Sequence, residues 1–206
     1  MKVLELFAGS KSIGKACDQL GYESFSSDIH DFGGIDYVTD IRSFNPALVP
    51  FVPDILWCSP PCTGFSVAVI GRNWVKGEVF TPKTDSASLG IDLLKATLKI
   101  IAHYQSLNPN LIWYMENPRG KMRKAPFLAS YIRHTVTYCQ YGDTRMKPTD
   151  IWTNNKSWTP RPMCKNGDDC HVSAPRGSQT GTQGLKGNHE RSKLPHALCV
   201  EVLSNL

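Results

Sequence analysis

No apolar run in the 206 residues approaches the roughly 20 that a membrane-crossing helix needs. The opening stretch MKVLELFAG (Met1–Gly9) has neither an h-region nor a cleavage site and passes directly into a strand-like run. No segment repeats, which excludes a solenoid or other repeat architecture. Secretory context is also missing for the cysteines. There are seven of them, an odd number, so reduced thiols with chemical or metal roles are expected rather than a disulfide framework. Together these absences predict a cytoplasmic protein without a membrane partner.

What is present describes an ordinary globular chain: 41% hydrophobic and 20% charged residues, enough for one substantial core and one domain over residues 1–206. The formal net charge of +5 hides an asymmetry. Residues 1–118 hold 9 Lys/Arg against 12 Asp/Glu, whereas residues 119–193 hold 14 against 5. A basic second half on a mildly acidic first half predicts a polyanion, nucleic acid before others, docking on one side. The alternative is a solvated, lysine-rich loop region.

Along the chain, KVLELF (Lys2–Phe7) reads as a strand that breaks before a helix, with Ser10 or Ser12 as N-cap and Gly21 as its stop. YESFSSDI (Tyr22–Ile29) is a second strand ending in an acid, and DILWC (Asp54–Cys58) is a buried one. Ser86 to Leu107 is the clearest helix, with Leu94, Leu98 and Ile101 on one face. LIWYM (Leu111–Met115) is another buried strand, and HTVTYCQYG and DIWTN form a late pair. Alternating strands and helices predict an α/β doubly wound sheet. Residues 157–188 are rich in Gly, Pro, Ser and Thr without periodicity, which predicts a long functional loop region.

The stretch ILWCSPPCTGFS (Ile55–Ser66) wedges Cys62 between a proline pair and a Thr-Gly turn at the end of a strand. A thiol there stands at the carboxyl edge of a parallel sheet, where α/β enzymes bind ligands. WYMENPRG ends the next buried strand in Glu116, an acid directed at the same crevice and a plausible proton donor or hydrogen-bond partner. LELFAGSKSIGKA is a strand, a glycine-bearing turn and a helix start. It can cradle a cofactor, with Asp28 holding ribose hydroxyls.

Taken in order, these elements resemble the cytosine-C5 DNA methyltransferase family, in a short, phage-like form without a large target-recognition domain. FAG resembles the first motif of that family, SPPCTGFS its Pro-Cys motif, ENP its Glu-Asn motif, TDI (Thr39–Ile41) its third motif and RSKLPHAL (Arg191–Leu198) its last. The resemblance implies a Rossmann-like, mostly parallel sheet of the S-adenosylmethionine-dependent type. It places Phe7, Ala8, Gly9, Ser10, Asp28, Ile29, Asp40, Ile41, Ser59, Pro60, Arg191 and Ser192 around S-adenosylmethionine. Cys62 would add to C6 of a cytosine flipped out of double-stranded DNA, while Glu116 hydrogen-bonds N3. The protein would act as a monomer, in host cytoplasm if phage-encoded.

Two departures from the pattern shape the expectation. Where the family has two arginines that orient cytosine and cysteine, this chain offers only Arg145 and Lys147 nearby, with Thr149 at the position of the second arginine. Only residues 154–190 stand where a target-recognition domain would be, which predicts short or low sequence specificity and binding dominated by phosphate contacts. Arg72, Trp74 and Lys76 follow the nucleophile where the family has a mobile loop, and would press on the DNA backbone and fill the vacated stack; the alternative is a surface excursion with a buried tryptophan. In the late basic loop Arg161, Lys165, Arg176 and Lys186 would meet phosphates.

Cys139, Cys164, Cys170 and His171 form a candidate zinc site, three thiolates and an imidazole in a loop too polar to fold alone; the alternative is four unrelated residues. Arg191 stands where the family has an asparagine beside the sulfonium, so it either meets a phosphate or pairs with an extra carboxylate, as in carboxy-S-adenosylmethionine. An RNA cytosine methyltransferase, a thymidylate-synthase-like enzyme and a non-enzymatic zinc-bearing nucleic-acid binder remain the competing readings.

Overall fold

A computed structural model describes residues 1–173 and 187–206. The elements in chain order are β1 (Lys2–Leu6), α1 (Ser12–Leu20), β2 (Glu23–Asp28), β3 (Tyr37–Val38), β4 (Ile55–Cys58), α2 (Ile70–Asn73), α3 (Asp85–Leu107), β5 (Ile112–Pro118), β6 (Ile132–Thr137), β7 (Pro148–Thr153), α4 (Asn188–Ser192) and α5 (His196–Ser204). The seven strands form one sheet in the order β3-β2-β1-β4-β5-β7-β6. Neighbours from β3 to β5 run parallel; β7 is antiparallel to both β5 and β6. This is the doubly wound, mostly parallel α/β sheet expected, with the late strands as the antiparallel pair.

Side-chain alternation explains why the strands are apolar throughout. Leu4, Leu6, Leu56, Cys58, Trp113 and Met115 face α3, whereas Val3, Ile55, Trp57 and Tyr114 face α1 and α5. A strand covered on both faces has no solvated side to mark with polar residues. α3 buries Leu94, Ile100, Ile101 and Tyr104 against the first face. Each aliphatic side chain taken fully from water contributes about 1.5–3 kcal/mol.

One polar side chain interrupts the second face. Glu5 lies within β1, 3% exposed, and accepts from the Ile13 N–H at 3.1 Å and the Gly14 N–H at 3.0 Å. It thus caps α1 from the strand beneath. Neither Ser10 nor Ser12 is the N-cap: Lys11 holds that position in left-handed conformation (φ 52°), because the carboxylate already occupies the first free helix donors. Gly21 does end the helix, with φ 67° and its N–H bonded back into the last turn. At the other helix start, Thr84 caps α3, whose first residue, Asp85, comes one ahead of the expected start.

From β1 the chain winds outward to β2 and β3, and from β4 it winds the opposite way to β5. The strand order therefore reverses between β1 and β4, and a crevice opens outside their carboxyl ends. Among the described residues, no helix is long and apolar enough to cross a membrane.

Candidate active site

Cys62 is presented by a rigid turn. After β4 ends at Cys58, the chain passes Ser59-Pro60-Pro61 into a single 3-10 turn, Cys62–Gly64, whose Cys62 carbonyl accepts from the Phe65 and Ser66 N–H groups at 2.9 Å. Gly64 is required there, since a Cβ would approach the Ser86 carbonyl oxygen to 2.8 Å at the start of α3. Across the crevice, the Asn117 amide of β5 donates to the Pro60 carbonyl at 2.7 Å, and the Lys121 N–H donates to the Phe65 carbonyl at 2.8 Å. The strand ends carrying Cys62 and Glu116 are thereby tied together.

Glu116 is 5% exposed and accepts from the Tyr138 hydroxyl at 3.0 Å. Burial raises its pKa; the Lys147 ammonium and the Tyr138 and Ser59 hydroxyls oppose that rise. Burial and then the Glu116 charge raise the Cys62 pKa, against the positive charges of Lys147 and Arg191. Lys147, itself pushed down by burial, lies 4.5 Å from the Tyr138 ring centroid and donates to the Arg191 carbonyl at 3.0 Å. Its φ of 27° is strained for a side-chain-bearing residue. Thiol, carboxyl and ammonium therefore form one electrostatic unit, in which a proton leaving one group changes the other two.

Arg145 is held differently. Its guanidinium forms a bidentate ion pair with Asp143 and donates to the carbonyls of Arg191 at 3.1 Å and Lys193 at 3.3 Å. It clamps the chain entering the last helix. The same stretch returns to the first turn through the Leu194 N–H, bonded to Ser12 Oγ at 3.3 Å, and through His196 and Gln19, 2.6 Å apart. The stretch from Arg191 onward thus lies beside the first turn, close enough for the Arg191 charge to act on Cys62.

Next to Cys62, a cavity of about 350 Å³ is lined by Phe7, Asp28, Ile29, Asp40, Ile41, Pro61, Thr63 and Leu93 among others. Asp28 is oriented by the Gly9 N–H on one oxygen (2.9 Å) and the His30 N–H on the other (3.1 Å). Phe7, with φ 57°, and Gly9, with φ 49°, shape the turn above it. Asp40 caps the short turn that begins at Ile41 and pairs with Arg42 at 2.6 Å. Aliphatic walls able to hold a purine, together with an acid placed for vicinal hydroxyls, fit the adenosine part of S-adenosylmethionine. Of the expected cofactor residues, Phe7, Asp28, Ile29, Asp40 and Ile41 line this cavity, and Ser59 and Pro60 belong to the turn beside it.

The nucleic-acid expectations divide. Arg72 and Lys76 are exposed on the excursion after Cys62. Trp74 is not available to a DNA stack: it is 2% exposed, packed on Phe65 and Phe80 with its indole N–H donated to the Gly64 carbonyl at 2.8 Å. That bond satisfies the indole in the core, under the Cys62 turn. Arg161 is likewise engaged, paired with Glu201 at 2.9 Å, donating to the Gln140 carbonyl and lying 4.6 Å from the Tyr141 ring centroid. Its charge fixes the loop to α5 while the side chain stays about half-exposed. Lys165 is exposed, while Arg176 and Lys186 lie outside the described residues.

Cys139, Cys164, Cys170 and His171 do converge, with their ligand atoms all within 4.8 Å of one another. Cys58 is fully buried within β4 with its thiol on the Tyr114 carbonyl, a small core residue as expected. Asn117 and Tyr138 carry roles that the sequence reading did not assign. Their only signal was a polar side chain beside Glu116 and another at the turn that follows β6, and the partner of each lies elsewhere in the chain.

No family model matches the chain. A protein of frog virus 3 (isolate Goorha), described as a probable DNA (cytosine-5)-methyltransferase, is 30% identical over 225 residues, covering 98% of this chain and 99% of that one. Among solved structures, the Entamoeba histolytica methyltransferase EhMeth superposes with a TM-score of 0.51 at 12% identity, covering 74% of this chain and 52% of its own. The Schizosaccharomyces pombe Dnmt2 methyltransferase gives 0.50 at 15%, covering 78% and 52%. The chain spans about half the length of those two structures, which share its fold. The near-full-length relative shows that the chain belongs to the cytosine-C5 DNA methyltransferase family.

Proposed function

From that membership, we propose that this protein transfers a methyl group to C5 of a cytosine in DNA, flipped into the crevice outside β4 and β5, through a covalent adduct between Cys62 and C6. Cytosine-C5 methyltransferase activity follows from the family, and so does the use of S-adenosylmethionine; DNA, the flipped base and the adduct are the proposal. The observation that carries it is the pairing of Cys62 with a buried Glu116 on strand ends tied by Asn117 and Pro60, beside the adenosine-sized cavity.

S-adenosylmethionine supplies an electrophilic methyl group on a sulfonium. The protein makes C5 nucleophilic enough to accept it. Glu116, whose pKa burial raises, is placed to hydrogen-bond N3 and draw electron density from the ring. The thiolate adds to C6, and the electron pair displaced onto C5 takes the methyl group as its bond to sulfur breaks, the bonding pair staying on sulfur in S-adenosylhomocysteine. The C5 proton then departs to solvent, the C6–S bond breaks, and 5-methylcytosine leaves with the thiolate restored. Lys147 stabilises the thiolate at both ends of the cycle. Exposed Arg72 and Lys76 are suited to phosphate contacts around the flipped base.

Trapping on 5-fluorocytosine tests the reading, because fluorine at C5 blocks the final elimination. Incubation with S-adenosylmethionine and matched DNA and RNA oligonucleotides should give a denaturation-resistant complex with DNA that Cys62→Ala abolishes. A complex on RNA alone would make the chain an RNA methyltransferase. Transfer to free deoxycytidine monophosphate alone would make it thymidylate-synthase-like.

A further inference from the structure

We propose that Cys139, Cys164, Cys170 and His171 hold one structural zinc ion that pins the irregular segment 154–173 to the turn following β6. The site is independent of the nucleophile and of the adenosine cavity, and it stands whatever nucleic acid the enzyme modifies.

The geometry is that of a closed four-ligand cage. Cys139 Sγ lies 3.1 Å from Cys164 Sγ and 3.5 Å from Cys170 Sγ, and His171 Nδ1 lies 3.7 Å and 3.6 Å from Cys164 Sγ and Cys170 Sγ. A tetrahedron with 2.3 Å metal–sulfur bonds has edges of about 3.8 Å, so a small outward movement of the sulfurs admits the ion. Gln140 donates its side-chain amide to Cys170 Sγ at 3.5 Å, a bond suited to a metal-bound thiolate. His171 Nε2 has no partner among the described residues, so the ring makes its polar contacts on the cluster side. Three thiolates and one imidazole leave no open coordination position, which marks the ion as structural rather than catalytic. Iron–sulfur clusters are held mainly by cysteine thiolates, so elemental analysis has to separate iron from zinc.

The surrounding chain shows what the ion would do. Residues 154–173 contain no helix or strand. Asn154, Asn155 and the buried Trp158 anchor the start of the segment to β5 and α5; beyond them Arg161, the Cys164 N–H bonded to Thr137 Oγ1 at 3.0 Å and the Val172 N–H bonded to the Thr144 carbonyl at 2.9 Å fasten it. Cys139 directly follows Tyr138, whose hydroxyl bonds Glu116. The ion would therefore hold not only the loop but also the turn that sets the Tyr138 contact.

The full chain, purified under reducing conditions with zinc in the growth medium and no chelator, should carry about one zinc per chain by elemental analysis. Cys170→Ser and His171→Ala alter the two more exposed ligands, so the fold is retained, and each should lower the zinc content to well under half. A strong chelator should lower the thermal midpoint of the wild type by several degrees and leave that of Cys170→Ser unmoved. Cobalt substitution should give the intense visible bands of a tetrahedral thiolate site. The proposal is overturned by a wild type that neither carries nor takes up zinc, by zinc content unchanged in both variants, by stoichiometric iron, or by thiol counting that finds Cys139 and Cys164 disulfide-linked.

Discussion

The Asn117 side-chain amide, at the end of β5, donates to the carbonyl of Pro60 at 2.7 Å, and both groups are buried. Proline cannot supply a backbone donor to fix this turn, so a neighbouring strand supplies one from a side chain. Asn117→Ala leaves a buried carbonyl without a partner, which costs about 1–3 kcal/mol. The loosened Cys62 turn should lose roughly 10-fold or more in single-turnover rate, while the KM for nucleic acid changes little. Thermal unfolding and single-turnover transfer of labelled methyl test the two halves. An unchanged rate would mean that the bond only stabilises the fold.

Cys62→Ala should leave residual methyl transfer below about 1%, since loss of a nucleophile costs several orders of magnitude, with cofactor affinity by calorimetry within a few-fold. Cys58→Ala is the control. Fully buried in β4 and clear of the reacting atoms, it should lose on the order of 1 kcal/mol of stability and keep most of the activity.

Lys147 lowers the Cys62 pKa by its charge, so Lys147→Gln should raise it. The ascending limb of the kcat/KM profile, which reports thiol ionisation, should then move to higher pH. The rate should fall about 10-fold for each unit the limb moves, as measured at pH 7, and recover on alkalinisation. A profile that keeps its shape and only drops would assign Lys147 a purely structural role.

Burial raises the Glu5 carboxyl from its ordinary 4.5 to about 7, against the Ile13 and Gly14 N–H groups and the charges of Lys11 and Lys15. A carboxyl whose folded pKa lies above its unfolded one stabilises the protein most when protonated. Its contribution is complete below about 4.5 and is lost as pH rises through about 7. Glu5→Gln should flatten the stability-against-pH curve in that window, removing a slope worth about 3 kcal/mol at most. Denaturant midpoints at pH 5 and pH 8, compared between the two proteins, read this directly; equal slopes would exclude Glu5 as the source.

Three residues on one excursion should separate into two kinds. Trp74→Ala, emptying a core site between Phe65 and Phe80, should cost about 3–5 kcal/mol of stability. The double substitution Arg72→Ala and Lys76→Ala should leave stability unchanged, weaken nucleic-acid binding and reduce the logarithmic salt slope by up to about 2. Binding titrations across salt concentration test this; an unaltered slope would place the phosphate contacts elsewhere.

The linear order of residues determined the alternation of strands and helices, the end of α1 at Gly21, the late strand pair and the positions of Cys62 and Glu116 at strand ends. Those features depend on local periodicity, on turn chemistry and on which residues sit next to a break in the chain. The four metal-ligand candidates were also legible, because cysteine and histidine are sparse and three of them fall within eight residues.

Other roles depended on partners far away in the sequence. Trp74 is an indole that could stack on a base or fill a core, and only the Gly64 carbonyl and the rings of Phe65 and Phe80 decided for the core. Arg145 and Arg161 carry charges suited to a nucleotide, yet Asp143, Glu201 and several carbonyls claim them. Glu5 displaced two serines as the cap of α1 because a strand beneath the helix delivers its carboxylate to the first free donors. A charged or aromatic side chain reaches several ångströms from its own backbone, so its role is set by what tertiary packing places within that reach.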